Sequence, residues 1–287
     1  MASLSFKSVR SFHKDQAPKA EEKGQVVRHL KRQFKLTYVL LNKDVLGWVR
    51  SLGLKTVDLV ITAIFAIILG FNQGQGFMEV KDILYMSMLI NLYVGMLSVV
   101  VAINLTLERL KSSEREAGGG ISTALVFTSS KLADLTDHVL RPTVFSILFY
   151  FISLPRMSFG TFYAVVLGVS LSCSGLGDFI AVIFPENLAT VAGLIIAFAF
   201  GGIMNGYSPP LSDLPSEWIV FPSYARWGVE ALCLAEFREY NDWKTETGMM
   251  HIGYSFDDWK WCLTFLYVSA VVLRICTYPL FRKKALS

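Results

Sequence analysis

Residues 83–107 read ILYMSMLINLYVGMLSVVVAINLTL, a run of 25 residues without a single Asp, Glu, Lys or Arg. A helix needs about 20 consecutive apolar residues to cross the hydrocarbon core of a bilayer, and this run exceeds that length. The whole chain is 53% hydrophobic and only 17% charged. These values argue against disorder and against most soluble enzymes, so the sequence predicts a membrane-spanning protein.

Five further apolar stretches complete the predicted set of spans. Two of them are less regular than the others, because the first is short and the third begins with an amphipathic approach from water. The prediction is an all-α, polytopic membrane fold with six transmembrane helices. The predicted spans are residues 53–71, 83–107, 121–154, 159–184, 188–207 and 261–281.

The distribution of charge predicts the orientation. Residues 1–55 contain twelve Lys or Arg and four Asp or Glu, and the positive-inside rule places such a segment in the cytosol. Residues 208–260 contain nine acidic and four basic residues, as an external loop may have. With six spans, the basic C-terminal tail is also cytosolic, so both termini lie on the same side.

The sequence also predicts the structure of three segments outside the spans. Residues 1–26 are interpreted as a basic, disordered tail, although their Ser-rich, acid-free beginning is also typical of organellar transit peptides. Residues 27–50 alternate apolar and basic residues at helical spacing, which predicts an interfacial helix within a membrane domain that spans 27–287. Residues 226–237 predict an amphipathic helix that lies on the outer leaflet.

Motifs for catalysis and for nucleotide binding are missing from the sequence. A Walker-type phosphate loop requires a Gly-Lys pair, and the chain contains none. The zinc-protease and serine-hydrolase signatures are absent as well. We therefore expect no catalytic residue, no metal ligand, no cofactor in this chain and no nucleic-acid partner.

Ionisable residues in or near the predicted spans are the next candidates, because an unpaired charge in hydrocarbon costs several kcal/mol. Five of them lie in the approach to the third span, where we expect local pairing and partial hydration rather than catalysis: Lys131, Asp134, Asp137, His138 and Arg141. Arg274 is expected to snorkel to the cytosolic interface. Asp178 is expected to make a polar contact between helices.

Cysteine usage leaves three alternatives. Cys233 and Cys262 are the two on or near the predicted outer face, where a disulfide between them, or a bond from Cys233 to a second subunit, is conceivable. Free buried thiols are the default.

Three stretches outside the cores of the spans form an ordered set. The segment after the second span contains Glu108-Arg109, Arg115-Glu116-Ala117 and Gly120-Ile121-Ser122. The segment before the sixth span contains Pro222-Ser223-Tyr224-Ala225-Arg226-Trp227, and the sixth span ends with a pattern that begins at Leu273-Arg274. In order and topological place, these stretches resemble motifs in the transmembrane domain of the ABCG (white-brown) subfamily of ABC transporters, with a plant and algal subgroup as the nearest likeness.

The resemblance implies ATP-driven export or lipid translocation by alternating access. The residues that would couple to a nucleotide-binding domain are Glu108, Arg109, Arg115, Glu116 and Gly118. The substrate cavity would lie on a two-fold axis between the second and fifth spans of a homo- or heterodimer. Its lining by helix phase would be Tyr93, Leu97, Phe198 and Ile203. Membrane lipids are expected partners, and ATP with Mg²⁺ would bind the nucleotide-binding domain.

The family's ATPase domain has no counterpart in these 287 residues, which leaves two accounts. In the first, the chain is a permease subunit whose ATPase domain is supplied in trans or lies outside this sequence. In the second, it is a non-transporting membrane scaffold or regulatory partner of full ABCG transporters. The expected location is the plasma membrane, with the plastid envelope or another organelle membrane as the alternative.

Overall fold

The structure is a computed structural model, and every regular element among its described residues is helical. It describes residues 52–73, 80–118, 122–207, 210–211, 217–240 and 253–285, with five further positions between 38 and 47. Those five positions are helical. The predicted tail at 1–26 and most of the predicted interfacial helix at 27–50 lie outside the described residues.

Seven helices form the described bundle. Their bounds are α1 Leu52–Gln73, α2 Val80–Gly118, α3 Thr123–Ser153, α4 Phe159–Ile183, α5 Glu186–Phe198, α6 Tyr224–Phe237 and α7 Trp259–Ala285. A π-helical turn, Ala199–Ile203, continues α5. Short 3-10 turns at Glu217–Ile219 and Phe256–Asp258 precede α6 and α7.

The all-helical membrane fold predicted from the sequence is confirmed, and each predicted span overlaps a described helix over most of its length. Five of the described helices, α1, α2, α4, α5 with its π turn, and α7, are long and apolar enough to cross a bilayer. Helix α3 has 31 residues and belongs to the same bundle, but charged residues occupy much of its first half. Its role as a sixth span remains a prediction.

Helix α2 is longer than a membrane crossing requires. Its 39 residues extend for about 58 Å at 1.5 Å per residue, which is nearly twice the thickness of the hydrocarbon core. The charged residues from Glu108 onward are in its last third. A single crossing would therefore leave part of α2 outside the hydrocarbon, and its charged C-terminal end is the part that hydrocarbon disfavours most.

Helices α2 and α4 form the centre of the bundle, and α7 packs along the other side of α4. The outer faces of α1, α5 and α7 carry large exposed apolar side chains, as a surface against lipid or another protein does. Examples are Ile64, Ile68, Phe71, Val191, Ile195, Val271 and Ile275.

The prediction for residues 226–237 was wrong. Every residue of α6 is buried, and the helix packs against α2, α4 and α7 instead of lying on the outer leaflet. Its polar side chains find partners inside the protein: the Arg226 guanidinium lies 3.9 Å from the Trp227 ring centroid and 3.8 Å from Glu230. A helix whose charges are satisfied by its neighbours can be buried on all sides.

Candidate functional site

An apolar groove of about 480 Å³ runs between α1, α2 and α5. Helix α1 contributes three side chains at four-residue spacing, and α2 contributes six on one face. The groove is lined by Ile61, Phe65, Leu69, Leu89, Leu92, Tyr93, Met96, Leu97, Val100 and Leu194. Sites for small molecules in proteins commonly have this volume and this apolar lining.

The predicted cavity residues divide into two pairs. Tyr93 and Leu97 line the groove, and the Tyr93 ring stacks on Phe65 with a centroid distance of 4.5 Å. Phe198 and Ile203 are not part of the lining and are 52% and 58% exposed. The cavity between two protomers, to which all four were assigned, remains a prediction.

Sequence reasoning missed the wall that α1 contributes. The available signal was the spacing of Ile61, Phe65 and Leu69, which places them on one face of the helix. The neighbouring positions of α1 are equally apolar, so the pattern cannot show which face turns toward α2.

A buried carboxylate lies among α2, α3 and α4, in the half of the bundle that contains the charged end of α2. The side chain of Asp178 on α4 is 0% exposed. Its Oδ1 atom accepts hydrogen bonds from Thr106 of α2 and from Lys131 of α3, each at 2.7 Å. This confirms the expected contact between helices, and it joins three of them.

Arg274 on α7 completes this cluster. Its Nε atom is 3.8 Å from Asp178, and it donates to the Ser174 hydroxyl and to the carbonyl oxygen of Leu171. The expected snorkelling to the interface was wrong, because these contacts on α4 hold the guanidinium against the bundle. Lys131 and Asp134 pair locally at 3.8 Å, as predicted.

The partial hydration expected for the charged residues of α3 was wrong for four of the five. Asp134, Asp137, His138 and Arg141 are 2–7% exposed. Two ion pairs to α1 compensate these charges, Lys55 to Asp137 at 2.6 Å and Arg141 to Asp58 at 3.5 Å. Because both anions and both cations have partners, burial is tolerable.

The predicted coupling residues lie near the end of α2. Arg109 contacts Asp134 of α3 at 3.4 Å, while Glu108 is exposed. The last residue of α2 is Gly118. The side chains of Arg115 and Glu116 lie outside the described part of the structure.

A second ion pair joins this end of α2 to α5. Lys111 Nζ is 2.6 Å from Glu186 Oε1, and both side chains are more than half exposed. The end of α2 is thus connected to α3 by a largely buried pair and to α5 by a solvated one.

The conceivable Cys233–Cys262 disulfide is not formed in the structure, where both residues are buried free thiols. Burial raises the pKa of the Cys233 thiol to about 12, so the group is protonated at neutral pH. Among the described residues, no group of three or more His, Cys, Asp or Glu side chains is arranged to hold a metal ion.

The C-terminal end of α6 is joined to the turn between α3 and α4. The two carboxylate oxygens of Glu236 accept hydrogen bonds from the backbone N–H groups of Arg156 and Met157, each at 2.9 Å. Burial raises the pKa of this carboxyl, and the two hydrogen bonds oppose that shift in part. Sequence reasoning did not find this contact, which depends on two main-chain donors.

Comparison with known proteins gives a consistent result. The profile of the ABC-2 type transporter family matches residues 9–284. The chain is similar to putative white-brown complex homolog protein 30 of Arabidopsis thaliana, with 23% identity over 167 residues. It is also similar to ABC transporter G family member 28 of the same plant, with 24% identity over 168 residues. Each match covers 57% of this chain and 15% of the relative's length.

Proposed function

The chain belongs to the ABC-2 type transporter family, and on that premise we propose that it is the permease part of an ATP-driven, ABCG-type exporter. Its substrate is hydrophobic or lipid-like, and transport proceeds by alternating access. ATP and Mg²⁺ act on a nucleotide-binding domain, either on a separate chain or elsewhere in a longer one. The membrane is the plasma membrane, with both ends of the described bundle in the cytosol.

The groove between α1, α2 and α5 is the observation that carries this proposal. All ten side chains along its wall are apolar or aromatic, and Tyr93 alone among them carries a polar atom. An apolar substrate leaves water or lipid for such a wall at little cost, since no charged group has to be desolvated. The groove thus suits a hydrocarbon-rich substrate and disfavours an ionic one.

The contacts at the end of α2 support a route from ATP hydrolysis to the groove. A displacement of this end would pull α5 through Lys111 and Glu186 and α3 through Arg109 and Asp134. Helices α2 and α5 both line the groove. Movement imposed at the cytosolic end would therefore change the shape of the groove, as alternating access requires.

The exposed face of α5 supports pairing with a second transmembrane domain of the same type. Phe198 and Ile203 are exposed on this chain, together with Val191 and Ile195. A second copy across a two-fold axis would cover this apolar face. The dimer would then enclose the groove of each protomer.

The experiment uses the protein purified from its native membranes, together with any ATPase domain that it carries or binds. Inside-out proteoliposomes are given radiolabelled 1-hexadecanol, hexadecanoic acid, sitosterol or phosphatidylcholine in separate assays, and ATP hydrolysis and uptake are measured. Leu97→Trp places a larger ring in the groove, and Val271→Trp, on the exposed face of α7, is the matched control.

We expect vanadate-sensitive ATP hydrolysis and ATP-dependent uptake of at least one of these lipids. Leu97→Trp should reduce uptake at least about tenfold, equivalent to about 1.4 kcal/mol, by removing volume that substrate occupies. Val271→Trp should remain within about twofold of the wild type. Assembly without ATP-dependent uptake of any probe would overturn the proposal and favour the scaffold account.

A further inference from the structure

Helices α4 and α5 are joined by a turn of only two residues, Phe184 and Pro185, which we call the α4–α5 turn. The last carbonyl groups of a helix have no hydrogen-bond donor within that helix. Pro185 increases this deficit at the end of α4, because proline has no N–H group to offer to the carbonyl oxygen of Ala181, four residues before it. The end of α4 therefore requires a donor from another part of the protein.

Lys284, in the last turn of α7, supplies this donor. Its Nζ atom lies 3.2 Å from the carbonyl oxygen of Ala181, 3.4 Å from that of Val182 and 3.1 Å from that of Phe184. An ammonium group carries three N–H donors, and a positive charge is favoured at the C-terminal end of a helix dipole. Lys284 thus attaches the end of α7 to a turn that lies 100 residues earlier in the chain.

An apolar cluster supports the same attachment. Phe281, one residue short of a full turn before Lys284, is 1% exposed, and its ring centroid lies 5.1 Å from that of Phe127 on α3. Leu110 of α2 and Val182 of α4 belong to this cluster as well. The last turns of α7 therefore pack against three other helices at the place where Lys284 bonds to the end of α4.

Helix α2 reaches the α4–α5 turn from another direction. Lys111, the residue after Leu110, pairs with Glu186, which is the first residue of α5 and directly follows the turn. This pair is more than half exposed on both sides, and exposed ion pairs are weak. Lys284, by contrast, bonds to main-chain oxygens beside the buried Phe281 ring. The attachment to α7 is thus the firmer of the two.

We propose that Lys284 and Phe281 are positioning residues that hold the α4–α5 turn against α7 while the end of α2 moves. A helix that is pulled near its end tilts if a point beside that end is fixed, and slides if no point is fixed. With the turn held by Lys284, a displacement of Lys111 and Glu186 tilts α5 about the turn. This inference rests on the proposed function, because it names residues that convert movement of α2 into movement of α5.

The test compares lipid uptake with ATP hydrolysis in the inside-out proteoliposomes described above, using whichever of the four radiolabelled lipids the wild type transports. The readout is the amount of lipid taken up per ATP hydrolysed. A purely structural defect reduces the amount of active protein, so it lowers uptake and hydrolysis together and leaves this ratio unchanged.

Two variants of Lys284 and one matched control are compared. Lys284→Met removes the ammonium group and keeps an unbranched side chain, while Lys284→Arg keeps a cation that donates to carbonyl oxygens. Lys283→Met makes the same change at the neighbouring position, which is exposed. Phe281→Leu is a milder second variant, because it keeps an apolar side chain in the cluster and removes the ring that packs on Phe127.

We expect Lys284→Met to keep ATP hydrolysis within about twofold of the wild type and to lower the lipid-to-ATP ratio at least about threefold. Lys284→Arg should retain at least about half of the wild-type ratio, and Lys283→Met should stay close to it. Phe281→Leu should lower the ratio in the same direction by a smaller factor.

An unchanged ratio in Lys284→Met, or an equal decrease in Lys283→Met, would overturn the inference. If Lys284→Met does not assemble, the ratio of Phe281→Leu decides, and an unchanged value there would overturn the inference. These results leave ATP-dependent uptake by the wild type intact. The proposed function fails only if the wild type takes up none of the lipids, and the inference then fails with it.

Discussion

The Nζ atom of Lys131 lies 2.7 Å from the Oδ1 atom of Asp178, and this ion pair joins α3 to α4 inside the bundle. The two side chains are 10% and 0% exposed. Thr106 of α2 donates to the same oxygen, and Arg274 of α7 approaches the other one. The Asp178 carboxylate of α4 is therefore a hydrogen-bond or ion-pair partner for one polar side chain from each of α2, α3 and α7.

Asp178→Asn should destabilise the fold strongly. The variant removes the buried anion that Lys131 and Arg274 share and leaves Lys131 only its 3.8 Å contact with Asp134. Breaking a buried pair from one side costs about 3–5 kcal/mol. Thermal unfolding in detergent, followed by size-exclusion chromatography of the heated protein, measures the loss. The double variant Lys131→Met with Asp178→Asn should lose less than the sum of the two single variants.

The exposed pair Lys111–Glu186 provides the matched control for this prediction. The distance between Lys111 Nζ and Glu186 Oε1 is similarly short, at 2.6 Å, but both side chains are exposed to solvent. Lys111→Gln should therefore cost less than about 1 kcal/mol. Equal losses for Asp178→Asn and Lys111→Gln would contradict the central role given to the buried carboxylate.

Glu236→Gln should change the dependence of stability on pH. Because burial raises the pKa of Glu236 in the folded protein, the folded state holds this proton to a higher pH than the unfolded state does. The contribution of the protonated Glu236 carboxyl to the free energy of unfolding is fully present below the pKa that this group has in the unfolded chain. It is lost as pH rises through the pKa of the same group in the folded protein. The melting temperature of the wild type minus that of the variant should therefore be larger at about pH 5 than at about pH 7.5.

Glu239→Gln, three residues further along and exposed, is the control for the pH series. The melting temperature of this variant should change with pH nearly in parallel with that of the wild type. A difference between wild type and Glu236→Gln that grows with rising pH would show that the two backbone hydrogen bonds outweigh burial, contrary to the expected sign.

Gly177→Ala should weaken the packing of α2 against α4. A Cβ atom at Gly177 would lie 2.6 Å from the carbonyl oxygen of Val99 and 2.8 Å from the Cβ of Ala102. Overpacking of this kind costs about 1–3 kcal/mol. Gly160→Ala in the same helix meets nothing within 4 Å, so it should be neutral or stabilising by up to about 1 kcal/mol. Unfolding temperatures that rank the two variants in the reverse order would contradict this packing.

The sequence predicts the helices of this protein well, because lipid imposes a simple rule. A stretch such as 83–107 has no alternative to a helix once it enters hydrocarbon, where every backbone group must bond internally. The same rule does not predict which face of a helix turns toward the rest of the protein. For α1, which is apolar nearly all round, the groove-lining face could not be predicted.

Charged residues produced the errors of prediction. Arg226 and Glu230 gave α6 the pattern of a surface helix, yet their contacts with Trp227 and with each other allow it to be buried. Arg274 looked free to reach the interface, yet it contacts Ser174 and Asp178. A sequence shows which residues are charged, but it does not show their partners, which are neighbours on the same helix for Arg226 and lie about 100 residues away for Arg274.

The central claim is that the groove between α1, α2 and α5 holds substrate during the transport cycle. Photo-crosslinking with p-benzoylphenylalanine in place of Leu97, and in place of Val271 as the lipid-facing control, tests it most directly. Radiolabelled 1-hexadecanol, hexadecanoic acid and sitosterol are the probes, before and after trapping with ADP and vanadate. The account predicts that labelling at position 97 by the transported lipid falls severalfold on trapping, while labelling at 271 stays constant. Labelling at 97 that matches 271 in both states would contradict it.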